Sequence, residues 1–230
     1  MRTLYTGKTK DVLIDEGTGE VCLLFKDSAT GENGQFDPGS NTVGGSVEGK
    51  GKTGLKISRY FFELMEQAGV PTHYLGADIE KGLMRVRKLT VPALEFVLRY
   101  QTAGSMCRRF TLDEGIPFDP PYTEVTLKDD AQGDPLISER LCIMKGLLMK
   151  GQYDEALDVL IKVGAILKSE LAQMELALID FKIELGYDET GKVYVVDEIT
   201  PDIWRVRGKN GVIPNQIDCA KLILERISLL

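Results

Sequence analysis

Residues 178–205 read LIDFKIELGYDETGKVYVVDEITPDIWR, and the reading of this stretch decides the fold. Side chains alternate faces along a strand, so Asp180, Lys182 and Glu184 point one way while Phe181, Ile183 and Leu185 point the other, towards a core. Gly186 to Lys192 supplies turn chemistry, with Gly191 free to take positive φ. Val193 to Val196 is an apolar, β-branched return strand that ends in Asp197-Glu198. The stretch is a β-hairpin with charge on one face. Carboxylates and a lysine on rigid strands suit a hard cation such as Mg²⁺, bound through one or two carboxylates plus phosphate oxygens. They equally suit a solvated face whose charges pair across strands. At this point both readings stand.

The chain of 230 residues is long enough for one large domain or two smaller lobes with real cores. Its 28 Lys and Arg against 35 Asp and Glu give a net charge of −7, which argues against broad binding to nucleic acid or a membrane surface. Local clusters of cations can still take a small phosphorylated ligand. Cys22, Cys107, Cys142 and Cys219 form no CxxC pair, so neither a zinc site nor a redox motif is expected, and reduced thiols of a cytoplasmic protein are the simplest reading. MRTLYTGKTKDVL has no long apolar run, so no signal peptide is expected, and no segment has the apolar length of a membrane span.

Upstream of the hairpin, residues 2–26 read as short strands around Gly7-Lys8-Thr9-Lys10 and a turn at 16–19. Lys8 and Lys10 beside a glycine turn can cover nucleotide phosphates, or can be solvated lysines of an exposed hairpin. Residues 27–53 are rich in glycine and read as a long functional or mobile loop. From about Lys52 an apolar stripe of Leu55, Ile57, Phe61, Phe62 and Met65 predicts a helix, stopped by Gly69 and Pro71. The only histidine, His73, has no nucleophile motif around it and reads as structural. Near Arg87 to Thr90, including Lys88, the chain is expected to pass between lobes, a place where backbone groups can read an adenine. Arg99 ends a strand, and Ala103-Gly104-Ser105 opens a helix, with Arg108 and Arg109 close behind. Such a segment makes a phosphate cradle, or else a capping serine beside a surface arginine. Residues 114–136 read as a proline-rich connection carrying Lys128 and Asp134. Ser138 caps a short helix, a long helix covers about 153–174, 200–205 reads as a polar loop, and a last amphipathic helix spans about 215–227.

The fold class is therefore α+β: an antiparallel-sheet lobe over 1–88 with one main helix, then a larger α+β lobe over 89–230. The charged features are expected to converge in a cleft between them.

Taken together, GKTKDVL, FKDSATGENG, GKGKTGLKIS, GVPTH, ALEFVLRYQTAGS, LKDDAQGDPLISE, LIDFKIELG and DEITPDIWR resemble the SAICAR synthetase family over nearly the whole chain. The resemblance implies the two-lobed family fold and an ATP- and Mg²⁺-dependent ligase. Such an enzyme joins carboxyaminoimidazole ribonucleotide to L-aspartate, giving SAICAR, ADP and phosphate in purine biosynthesis. It implies ATP-binding roles for Lys8, Lys10 and Lys88, and Mg²⁺-associated roles for Glu184 and Asp197. Asp180 and Lys182 become the catalytic pair. Arg99, Ser105 and Arg205 are expected on the nucleotide's 5′-phosphate, with Lys128 and Asp202 as further substrate contacts. The expected partners are small molecules, with neither nucleic acid nor membrane, in a homodimer by analogy. The chain departs from the family pattern at Tyr100, at Val206-Arg207-Gly208 and at KNGVIPNQ, where base, ribose or aspartate would be contacted. A divergent paralogue joining another carboxylate or amine, and a non-catalytic nucleotide-binding protein, are the alternatives. The chemistry itself needs no protein nucleophile, in keeping with the absence of a Ser-His or Cys-His arrangement.

Overall fold

The computed structural model describes residues 1–32, 35–36 and 42–229. In chain order its strands and helices are β1 (Arg2–Thr6), β2 (Lys10–Ile14), β3 (Val21–Phe25), β4 (Ser28–Glu32), β5 (Gln35–Phe36), β6 (Val43–Ser46), α1 (Lys50–Gln67), β7 (Tyr74–Asp78), β8 (Leu83–Val86), β9 (Leu94–Gln101), α2 (Ser105–Phe110), β10 (Pro117–Leu127), α3 (Glu139–Met144), α4 (Gln152–Ala172), β11 (Leu176–Tyr187), β12 (Val193–Val196), β13 (Trp204–Gly208) and α5 (Gln216–Ser228). They divide into two compact units. The first comprises Met1–Lys88, Glu198–Ile203 and Pro214–Leu230; the second comprises Leu89–Asp197 and Trp204–Ile213.

The first unit is built on an antiparallel sheet in the order β1-β2-β3-β8-β7. Gly7 N–H bonds the Lys10 carbonyl at 2.8 Å and closes the turn between β1 and β2, which puts Lys8 at the turn and Lys10 at the start of a strand. Helix α1 buries the expected stripe, with Leu55, Ile57, Phe61, Phe62 and Met65 all inaccessible to solvent. Helix α5 packs on α1 through buried Cys219 and Ile223. His73 is 4% exposed and its ring lies 5.2 Å from that of Phe62, a packing role. Much of the run expected as a loop over 27–53 is ordered: β4 pairs with β5 and β6, and α1 begins at Lys50. Asn33, Gly34 and 37–41, with the long loop expected there, lie outside the described residues.

In the second unit β11 is the central strand. It pairs antiparallel with β9 on one side, and on the other with β13 along its first half and β12 along its second. Phe181, Ile183 and Leu185 are buried, as the alternation requires, and α4 covers the sheet with Leu160, Val163, Leu167 and Leu171. Gly191 takes φ +90° in the tight turn between β11 and β12, the left-handed conformation that suits glycine.

Three expectations need correction. Residues 117–127 are an eleven-residue strand, β10, rather than a connection. Among the described strands β10 pairs with β9, and Pro120 and Pro121 fall in the register shift between Pro117 and Tyr122, where the ladder does not call on their missing N–H groups. The polar loop expected over 200–205 is shorter, covering 200–203 with Thr200 and Asp202 buried, and β13 starts at Trp204. Finally, 198–203 and 214–230 pack with the first unit, so that unit holds two long helices, and 89–230 is not one continuous lobe.

Candidate active site

On the second unit the strand registers bring charge together. Arg99 on β9 and Arg205 on β13 both stand opposite Asp180 on β11. Arg205 donates from Nε to Asp180 Oδ1 at 2.9 Å and from Nη2 to Oδ2 at 2.8 Å, the forked geometry that fixes a guanidinium in orientation. Arg99 Nη1 donates to Asp180 Oδ2 and, at 3.3 Å, to the Ala103 carbonyl. Glu124 on β10 takes the remaining side of Arg99, accepting from Nε at 3.1 Å and Nη2 at 2.6 Å. Its other oxygen accepts from Arg109 Nη2 at 2.7 Å.

Gly104 makes this arrangement possible. It has φ +58°, and a Cβ placed there would lie 2.6 Å from Arg205 Cζ, so the guanidinium lies where any other residue would put a side chain. Ser105 follows as the first residue of α2, and its hydroxyl accepts from Arg109 Nη1 at 3.3 Å.

Further along the same face of β11, Lys182 donates to Glu95 at 2.9 Å and Glu184 pairs with Lys128. Burial pushes the Glu184 carboxyl above its ordinary pKa, and the Asp197 charge pushes it further, against the pull of Lys128. Burial opposes the charge on Lys128, yet Glu184, Asp197 and Glu95 leave its pKa raised. Asp197 has φ +68°, an uncommon conformation for a residue with a side chain. Lys182, Glu184, Asp197 and Lys128 thus form one cluster around Glu95, while Asp180 belongs to the arginines. Among the described residues, no group of three or more His, Cys, Asp and Glu side chains is arranged to hold a metal ion.

The first unit carries a second charged cluster. Lys10, 8% exposed, pairs with Glu198, and Lys50 pairs with Asp202. Thr9 and Thr200 hydroxyls donate to the two Glu198 oxygens at 3.2 and 3.0 Å. Burial raises Glu198, but Lys10 and Lys50 more than offset this, so its carboxyl lies below the ordinary range. Burial and then the Glu198 charge raise Asp202 above it, against Lys50. Lys8 and Lys88 are exposed, the latter at the last residue before the chain enters the second unit. A recess of about 260 Å³ is walled by Lys50, Thr53, Ile57, Asp202, Gln216 and Leu224. A ligand entering it meets an already neutralised ion pair rather than a bare charge.

A model of the SAICAR synthetase family matches residues 3–218. The chain belongs to the SAICAR synthetase family. It is 40% identical over 230 residues to phosphoribosylaminoimidazole-succinocarboxamide synthase of Clostridium tetani, covering 98% of this chain and 100% of that protein. It is 37% identical over 210 residues to the synthase of the same name from Finegoldia magna, covering 91% and 87%. A solved SAICAR synthetase (type 2) in complex with ADP superposes with a TM-score of 0.85 at 30% identity, covering 98% of this chain and 97% of that one.

In this SAICAR synthetase family member, four residues carry contacts for which the sequence assigned no role: Lys50, Glu95, Glu124 and Glu198. Each ties a singled-out residue from another strand or helix. The sequence carried one usable signal, the Asp197-Glu198 pair at the end of an apolar strand. There a second carboxylate entering a core needs a cation somewhere else in the chain.

Proposed function

We propose that this chain makes SAICAR, joining the carboxylate of carboxyaminoimidazole ribonucleotide to the amine of L-aspartate at the expense of ATP. The observation that carries the reading is β11, where one strand face offers three separate chemistries over five residues. Asp180 holds two guanidiniums, Lys182 lies beside Glu95, and Glu184 faces Lys128 and Asp197.

The guanidiniums and Ser105 suit the 5′-phosphate: forked N–H donors and a hydroxyl, preset by carboxylates behind them. In the first unit, Lys10, fixed by Glu198, and exposed Lys8 suit the phosphates of ATP, and residues 87–90 with Lys88 suit its adenine. Lys128 and Asp202 remain substrate contacts in this reading. The substrate carboxylate attacks the γ-phosphorus and ADP leaves. The aspartate amine then attacks the acyl carbon, phosphate departs, and the nitrogen loses a proton. Lys182 stabilises the negative charge that develops on the transferring phosphoryl and acyl oxygens. Asp180, buried against two arginines, acts by positioning them.

Glu184 and Asp197 fit a Mg²⁺ ion by donor chemistry. They are hard oxygen donors, burial and then the Asp197 charge raise Glu184, and phosphate oxygens would complete the shell. When bound, the ion neutralises phosphate charge. We place the enzyme in the cytoplasm with small-molecule partners, and as a homodimer on family precedent, which sedimentation tests.

The deciding experiment incubates the protein with carboxyaminoimidazole ribonucleotide, aspartate and ATP, and follows phosphate release with SAICAR formation. No release above background defeats the assignment. Release with a different carboxylate or amine alone moves the chain to a paralogue, and ATP binding without release makes it a binding protein.

A further inference from the structure

We propose that Arg109 is a further anion-binding residue of the phosphate site, oriented for that role by Glu124. This inference rests on the reading of Arg99, Ser105 and Arg205 as that site. Arg99 is largely committed to the protein. Its Nε and Nη2 donate to Glu124, its Nη1 donates to Asp180 and the Ala103 carbonyl, and its side chain is 4% exposed. A ligand therefore meets the other two guanidiniums first: Arg205, with its side chain 26% exposed, and Arg109, at 28%.

Arg109 stands four residues after Ser105 on α2, on the same face of the helix, and its Nη1 donates to the Ser105 hydroxyl at 3.3 Å. Its guanidinium is therefore beside the hydroxyl expected on the phosphate. Glu124, with its side chain 2% exposed, spends one oxygen on Arg99 and the other on Arg109, so a single buried carboxylate sets both arginines. Arg99, Arg109 and Arg205 against Asp180 and Glu124 leave one net positive charge in the cluster. Without Arg109 these paired charges would balance, and a phosphate dianion would lose one of the two part-exposed guanidiniums. A plain counter-ion to Glu124 is the competing reading, and it predicts a different response to the phosphate itself.

Arg109→Gln in the full chain is expected to raise KM for the nucleotide about tenfold or more, the scale of one charge-assisted hydrogen bond. Turnover number should stay within about threefold, KM for ATP should not move, and Arg109→Lys should be intermediate. With the ribonucleoside lacking the 5′-phosphate, Arg109→Gln and the parent should share the same kcat/KM, because the group that Arg109 contacts is gone. An unchanged nucleotide KM overturns the proposal. So does an equal loss on both substrates, which is what a structural counter-ion gives. Calorimetry with inorganic phosphate reads the residue without turnover: the parent should bind about tenfold more tightly than Arg109→Gln, and equal affinities overturn the proposal. A parent that binds phosphate through Arg109 yet makes no SAICAR defeats the ligase reading and leaves the anion site standing.

Discussion

Gly104 and Glu184 show how single residues set the chemistry. Any side chain at Gly104 must displace Arg205, since the guanidinium occupies the Cβ position, and φ +58° adds backbone strain for a non-glycine residue. Gly104→Ala is therefore expected to unseat Arg205 from Asp180 and to raise KM for the nucleotide by about tenfold or more, one charge-assisted contact's worth. Steady-state kinetics check this, with circular dichroism confirming an unchanged fold; a nucleotide KM equal to the parent's would refute it. Glu184 makes a pH prediction. Its folded-state pKa lies above the ordinary carboxylate value, so the folded protein holds that proton more tightly than the unfolded chain. The group therefore favours folding below the ordinary carboxylate range, and that contribution is lost as pH rises through the raised pKa. Glu184→Gln should be more stable than the parent at pH 8, with the difference shrinking towards pH 4. Thermal melts of both proteins across that range, without ligand, decide it: a variant less stable at pH 8 than at pH 4 relative to the parent has the wrong sign.

Strand β11 joins the two halves of the second unit's chemistry, and its period of two was readable from the sequence because Phe181, Ile183 and Leu185 alternate with the charged Asp180, Lys182 and Glu184, although Asp180 is itself buried. Helices α1, α4 and α5 were readable for the analogous reason, an apolar stripe at helical spacing. What the sequence hid depends on register. Arg99, Asp180 and Arg205 were each singled out, but nothing local places them side by side on three strands. Asp180 consequently reads from sequence as a partner of Lys182, whereas its carboxylate serves the arginines. Strand β10 was hidden by its prolines, and with it Glu124, which reaches Arg99 diagonally across the sheet. Segment 198–203 was hidden because its polar residues are matched by lysines more than 140 residues away. The element-scale prediction concerns the Lys182 end of β11. Lys182 is part-exposed and paired with Glu95 at the surface, and Asp197 lies in the turn after β12, so neither holds the core. Lys182→Ala and Asp197→Asn should each reduce kcat by roughly 10²–10³, the cost of removing one preorganised electrostatic group. Melting temperature should change little, and near-parental kcat in either variant would show that the reacting groups lie elsewhere.

For the whole molecule, the decisive feature is that the chain passes between units four times, after Lys88, Asp197, Ile203 and Ile213. The first unit is consequently incomplete when cut at the boundary the sequence suggests. Residues 1–88 alone would lack Glu198 and Asp202, the partners of Lys10 and Lys50, whose side chains are only 9% and 12% exposed. Leaving a buried cation without its carboxylate costs roughly 3–5 kcal/mol, comparable to a substantial share of the stability of an ordinary domain. The same cut removes α5 from α1 and the Ile199 N–H bond to Ser58 Oγ at 3.1 Å. A fragment of residues 1–88 is therefore expected to show no cooperative thermal transition and poorly dispersed amide resonances. The same fragment with 198–203 and 214–230 appended through a flexible linker should recover both. The second unit loses less: a fragment of 89–213 keeps every strand of its sheet and α4, with 198–203 carried as a six-residue insertion, and should unfold cooperatively by itself. Calorimetry and amide spectra of the three fragments test the division directly. A cooperative transition in 1–88 alone would mean that the ion pairs to 198–203 and the packing of α5 are dispensable for the first unit.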